Sequence, residues 1–402
     1  MPRRLSQPEF IALLALLSAT VAFSMDSMLP ALPEIAQTLS PDAPNRAQLI
    51  LTSFMFGLGL GTLLAGPLSD AFGRRTVIVG GLALYAVAAI LTMTVQSLDS
   101  LVALRVIQGL GAAAPRVVST AMVRDLYQGR EMARLQSFVM MIFILVPAVA
   151  PAIGAVIISG FGWRGVFGSF AVFAAISTFW LMSRQEETLP RENRRPLSIS
   201  KLIAGTRETL SNASVRIYIA ALTLGFGQMF GLLSSIQQIY GEIFDRADSF
   251  PMWFALQALI SGFGTFFNAR FVVTLGMRRI ALSAYATQIA ISSIVLVITL
   301  SGLLPDGLAF PVFFFWSVSV FFMAGVTFGN LISLALEPLG HLAGLGASVT
   351  QGIATVLAVL IAAPIGLAFN GTLVPILIGT LLCSGGAFLL LRRTIDTPAP
   401  AE

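Results

Sequence analysis

The sequence predicts an all-α membrane protein of twelve transmembrane helices, arranged as two six-helix bundles. Three observations carry that prediction. Of 402 residues, 56% are hydrophobic and 11% charged, with a mean hydropathy of +0.87, whereas soluble domains are about a quarter charged. Twelve apolar runs of spanning length follow one another, with a single long polar segment midway. The basic residues fall almost entirely on one side of the resulting topology.

The first run, 8–33, follows Met1-Pro-Arg-Arg and is too long for a cleaved signal peptide, so it counts as helix 1. Helices 2–6 are read at 46–69, 76–96, 100–123, 132–160 and 164–184. The polar segment opens Gln185-Glu-Glu-Thr-Leu-Pro-Arg and runs to Asn212. Helices 7–12 follow at 214–240, 250–274, 279–302, 308–336, 342–369 and 372–391. The expected organisation is an N-terminal bundle over 1–184, a cytoplasmic linker over 185–213 and a C-terminal bundle over 214–402. With the N-terminus in the cytoplasm, nineteen of the 24 Lys and Arg residues share its side. Only Arg46, Arg164 and Arg246 lie opposite, and Arg105 and Arg116 lie within a run. The positive-inside bias therefore puts both termini and the linker in the cytoplasm.

The unusual stretch is Asp99 to Asp125, an apolar small-residue run with two arginines inside it. At 100° per residue, Arg105, Gln108, Ala112, Arg116 and Ser119 fall within roughly 80° of one another. Each arginine costs about 2.5–3.5 kcal/mol at membrane depth, so the stripe faces protein or water. The bland reading is that both arginines only tie helices together. Asp26 is the sole acid deep in a run, and Arg105 is its expected partner. If one access state joins the two and the other separates them, proton affinity changes with conformation; the alternative is a permanent structural ion pair. Counting charges at depth leaves a net excess of one positive charge when Asp26 is ionised, a sign that favours neutral or acidic solutes over cations. The second half offers only amides and hydroxyls at depth, with Gln228, Ser235 and Asn330 as the candidate substrate contacts beside Arg105, Gln108 and Arg116.

The halves echo each other: Gly66-Pro-Leu-Ser-Asp70-Ala-Phe-Gly73-Arg74-Arg75 ends helix 2, and Gly276-Met-Arg278-Arg279 follows helix 8. Gly73 permits a tight turn and the arginines hold it at the headgroups. Asp70 can pair with an arginine or cap a helix N-terminus. Pro147 and Pro151 each remove a hydrogen bond from helix 5 and bend it, close to Gly154.

Taken together, these motifs resemble the major facilitator superfamily. Gly66-x-x-x-Asp70-x-x-Gly73-Arg74-Arg75 is similar to its loop 2–3 signature, Arg105-x-x-Gln108-Gly109 to its helix 4 motif, and Ala150-Pro151-Ala-Ile-Gly154 to its antiporter motif. Asp26-Ser-Met-Leu29-Pro30-Ala-Leu-Pro33, with Gly329-Asn330 through Gly344, resembles the Bcr/CflA type of drug–proton antiporter. The chain departs from the family at Ala71, commonly arginine, and at Ala150 and Ala155, commonly glycine. The resemblance implies the major facilitator fold, with proton coupling at Asp26 and Arg105 and gating at the loop 2–3 and helix 5 motifs.

The reading is a monomeric proton-coupled secondary transporter of a bacterial inner membrane, exporting small drugs or related amphiphiles by alternating access. Its partners are a small-molecule substrate, protons and lipid; no cofactor, metal or nucleic acid is expected. No Gly-x-x-x-x-Gly-Lys-Ser/Thr loop is present, so ATP is not the driver. The lone Cys383 and lone His341 exclude a disulfide framework and a histidine-based active site. His-Glu-x-x-His and Gly-x-Ser-x-Gly are absent, which argues against an enzyme. The rival is a proton symporter importing an organic acid or metabolite; a non-transporting receptor on the same scaffold is a further one.

Overall fold

A computed structural model describes residues 5–302 and 304–394, and every element among them is helical. The spanning helices are α1 (Gln7–Asp26), α2 (Leu49–Phe72), α3 (Arg74–Thr92) and α4 (Leu98–Leu126). A continuous helical stretch, Gly129–Arg184, follows. It breaks at Gly162 (φ 64°, ψ −176°), a conformation that suits glycine, and so divides into α5 (129–161) and α6 (163–184). Then come α7 (Ala213–Gln238), α8 (Phe250–Leu275), α9 (Met277–Ser301), α10 (Asp306–Leu336), α11 (Ala343–Leu367) and α12 (Val374–Arg392). Eleven stretches among the described residues are long and apolar enough to cross a membrane, and the one at Leu145–Arg184 runs through the Gly162 break. The chain is a multi-pass membrane protein. The polar linker is more ordered than its composition suggests, with a 13-residue helix at Ile199–Ser211. The membrane face that carries this segment is the linker side, and the opposite one is the far side.

Two compact units emerge: Met1–Leu202 with Ser234–Leu259, and Ile203–Leu233 with Ile260–Glu402. Residues 234–259 join the first unit because the far end of α7 meets Gln48. The Gln48 side chain accepts from Ser234 Oγ (3.3 Å) and Ser235 Oγ (3.0 Å) and donates to Gln238 (2.8 Å).

The first unit packs by removing side chains. Within a bilayer, association depends on close contact and hydrogen bonding, so small residues gather where helices touch. A Cβ at Gly57 would overlap the Val106 carbonyl, and one at Gly109 would overlap the Phe54 carbonyl, so α2 and α4 meet backbone to backbone. Gly111 seats the backbone of Tyr85 from α3, and Gly154 of α5 lies against the Ser27 carbonyl beyond α1. In the second unit, Gly227 and Gly231 of α7 receive Ile361 and Ile365 of α11. A buried polar knot joins α9 to α10: Trp316 Nε1 and Gln288 Nε2 donate to Ser292 Oγ (2.9 and 3.1 Å), and Ser319 Oγ donates to Gln288 Oε1 (3.1 Å).

Gly109→Val is expected to force α2 and α4 apart and to lower stability by about 1–3 kcal/mol, the usual cost of overpacking. Gly80→Val, where nothing lies within 4 Å, is the control. Thermal melts in detergent check the pair, and equal melting of both variants would refute the close-contact account.

Candidate transport site

The buried centre of the first unit is Arg105, whose side chain is wholly inaccessible. Its Nε donates to the Ile50 carbonyl (3.1 Å), Nη2 to the Ser24 carbonyl (3.2 Å) and Nη1 to Gln108 Oε1 (2.6 Å). The guanidinium also lies 4.3 Å from the centroid of the Phe54 ring, a cation–π contact. One arginine thus ties α4 to both α1 and α2. Gln108 turns its carbonyl to Arg105, and its Nε2 is buried without a partner among the described residues.

Asp26, the last residue of α1, is buried, and its carboxyl makes no hydrogen bond or ion pair among the described residues. The expected pairing with Arg105 is therefore absent in this conformation. Arg105 reaches the same stretch of chain, but through the backbone oxygen two residues earlier. Two residues that the sequence reading missed complete the cluster: Ser24 Oγ donates to the Thr20 carbonyl (2.5 Å) and is hydrogen-bonded to the buried Tyr85 hydroxyl of α3. Tyr85 had a signal, being the only residue with a polar side-chain group in the apolar run 77–91 of α3.

Arg116 shares the face of Arg105 on α4 but not its surroundings. It is half-buried, and among the described residues its guanidinium makes no hydrogen bond or ion pair. One turn on, Ser119 Oγ donates to the Arg116 carbonyl (3.0 Å) and lies 3.5 Å from Ser18 Oγ of α1.

The second-half candidates are held in helix contacts. Gln228 accepts from Ser384 Oγ of α12 (2.8 Å), leaving its buried Nε2 unpartnered among the described residues. Asn330 donates to Asn268 of α8 (2.7 Å) and to the Val326 carbonyl (2.8 Å). Ser235 belongs to the Gln48 contact at the far side. Gln228 and Ser235 lie on similar headings around α7 yet meet different neighbours.

On the linker side, Gly73 (φ 98°) turns the chain between α2 and α3. Arg74 is nearly buried: its Nε donates to Asp125 (2.9 Å) and its Nη1 to Ser69 Oγ (2.7 Å) and to Asp70. Ser69 in turn donates to the Gly66 carbonyl (2.8 Å), and Arg75 donates to the Met182 carbonyl. Asp70 takes the arginine-pairing role, while the N-terminus of α3 is capped by Glu187. The Glu187 carboxylate accepts from the backbone of Arg74 (2.8 Å) and of Arg75 (3.1 Å). Thr188 donates to Asp125 (2.9 Å), and the Arg195 amide to the Asp70 carbonyl (3.0 Å), so the start of the linker is strapped across the turn. Asp125 and Glu187 were missed by the sequence reading; as acids at the ends of spans beside Arg74, they were open to it. Pro147 and Pro151 lie inside the helical stretch of α5.

Residues 14–363 match the Major Facilitator Superfamily. The chain belongs to that superfamily. It is 31% identical over 341 residues to the bicyclomycin resistance protein homolog of Haemophilus influenzae, covering 83% of each chain. It is 25% identical to multidrug resistance protein D of Escherichia coli, over 87% of this chain and 86% of that one. These relatives place the transporter with the Bcr/CflA type, as its helix 1 motif implies. Its fold is similar to that of the xylose transporter XylE of E. coli in a partially occluded inward-open conformation (TM-score 0.72, 14% identity, 98% and 99% coverage). Superfamily members are transporters rather than enzymes.

Asp125→Asn is expected to destabilise the transporter more than Asp70→Asn, roughly 1–3 against under about 1 kcal/mol, because Asp125 is 18% exposed and Asp70 46%. Melting of the two purified variants gives the order, and a reversed order would show that the solvent-facing pair carries the turn.

Proposed function

We propose that this transporter exports small, partly apolar drugs across the bacterial inner membrane in exchange for protons, with both termini and the linker in the cytoplasm. The observation that carries the reading is Asp26: a buried carboxyl without a partner among the described residues, two residues from the carbonyl that holds Arg105. A carboxylate in such a place is costly to keep ionised, whereas a protonated acid costs far less. Proton uptake from outside neutralises Asp26 and favours the closed surroundings. Release towards the cytoplasm follows when rearrangement brings water or a guanidinium to it. Drug and proton then alternate without meeting. The names of the bicyclomycin-resistance and multidrug-resistance relatives support export of drugs. The linker-side turn around Arg74 serves as one latch of the cycle, its Asp70 pair being exposed enough on the carboxylate side to break and re-form.

Asp26→Asn is expected to keep expression and substrate binding but to lose uphill export. Proton-driven uptake of a fluorescent drug into inverted membrane vesicles measures this. Unchanged accumulation with unchanged pH dependence would remove Asp26 from the coupling role.

Arg116 offers its charge to a solute, since no group among the described residues claims it. Arg116→Gln is expected to weaken export of an acidic drug on the order of tenfold, the worth of a charge-assisted hydrogen bond, while a neutral drug changes little. Resistance profiles against matched acidic and neutral compounds decide it, and equal losses in both classes would sink the selectivity.

A further inference from the structure

The linker helix Ile199–Ser211 is pinned to the ends of spanning helices by both its end and its buried face. One residue beyond it, Asn212 Oδ1 caps α7 by accepting from the backbone of Ser214 (2.9 Å) and Val215 (3.3 Å). Arg216 Nη1 reaches back to the carbonyls of Leu210 (2.8 Å) and Ser211 (2.9 Å), which fixes the turn between the two helices. Gly205 and Thr209 are buried, and Gly205 lies against Leu345 in the first turn of α11. The helix is therefore level with the linker-side ends of two spanning helices. About 110° round the helix from Gly205 and Thr209, another face carries apolar residues that no described residue covers: Ile199 is 70% and Ile203 62% exposed. Ile199, Ile203, Thr206 and Leu210 fall within about 60° of one another, a stripe of helical period. Around it the chain is basic, with Arg191, Arg194, Arg195, Lys201, Arg207 and Arg216 against Glu192 and Glu208 between 191 and 216.

We propose that this helix lies in the plane of the linker-side leaflet, with its isoleucine stripe among the acyl chains and its basic residues on anionic headgroups. A surface helix with one apolar face and flanking cations partitions into the headgroup boundary. A negative leaflet draws such cations within a Debye length. The partner is thus anionic phospholipid, and the helix anchors the base of α7, and through Gly205 that of α11, to the bilayer surface. The inference needs only that the chain spans the membrane, and it stands or falls apart from drug export.

The test places an environment-sensitive fluorophore at Ile203→Cys and, in a second protein, at Ala204→Cys, an exposed position on another face. Cys383 is buried and stays in place, with the unsubstituted protein as the labelling blank. Both proteins are reconstituted into phosphatidylcholine vesicles with phosphatidylglycerol, with or without brominated acyl chains. Bromolipid is expected to quench the label at 203 about twofold more than that at 204, and aqueous iodide to quench them in the reverse order. Leaving out phosphatidylglycerol, or adding Arg207→Gln, is expected to reduce bromolipid quenching at 203. Iodide quenching at 203 equal to that at 204 would overturn the proposal. So would shielding of 203 from both quenchers, or quenching that varies with protein-to-lipid ratio, since each means that protein covers the stripe. Equal bromolipid quenching with and without phosphatidylglycerol would overturn the assignment of anionic lipid as the partner.

Discussion

A guanidinium inside a membrane-spanning helix cannot be left to itself, and the first unit is built around that constraint. The carbonyls of Arg105's own helix are committed to the helical ladder, so acceptors must come from elsewhere. They come from Ile50 of α2 and Ser24 near the end of α1, with Gln108 of the same face as the third. Those bonds form only if α2 and α4 approach closely, which the glycines at 57 and 109 allow. The arginine and the glycines are one requirement seen from two sides: the charge supplies the reason for contact, and the missing side chains supply the room.

The linker-side cluster solves a similar problem under milder conditions. Arg74 also gathers several acceptors, but its partner Asp70 is 46% exposed, whereas Arg105 is fully enclosed. Water can replace a partner at the turn between α2 and α3; it cannot do so at Arg105 without opening the unit. At the linker-side cluster a partner can be exchanged for water, whereas the Arg105 cluster is a fixed joint. Exposure and acceptor type both contribute to that difference, since Arg74 meets carboxylates and Arg105 meets neutral oxygens and a ring.

The helices were legible in the sequence because hydropathy reports burial in lipid directly, and even the α5–α6 boundary fell where Gly162 breaks the stretch. The linker helix was missed because its segment is polar on average. Its apolar residues at 199, 203 and 210 carry the information in spacing rather than in sum. Within the candidate site, periodicity placed Arg105, Gln108 and Arg116 on one face correctly, for that is a property of a single helix. It could not show which atoms Arg105 meets, because backbone carbonyls leave no mark on a sequence and cross-helix register depends on the whole packing. The same limit separates Gln228 from Ser235. Seven residues place them on nearly one heading but about 10 Å apart along the axis, where different neighbours wait.

Asp26, Arg105 and Arg116 all lie within spanning helices of the first unit, and they are not equivalent. Arg105 is satisfied by protein atoms, and its charge is accounted for inside the fold. Asp26 and Arg116 are not, among the described residues. An uncompensated ionisable group in a bilayer is tolerable only if something else reaches it. For an acid that can be a proton, which removes the charge altogether. Arginine does not give up its proton at ordinary pH, so Arg116 needs water or an acceptor on a solute. The two unsatisfied groups thus call for different visitors, one for a proton and one for an electron-rich surface, and the satisfied arginine between them holds the helices that carry both. That division is the physical ground on which the proposed exchange of proton for solute rests, apart from the names of any relative.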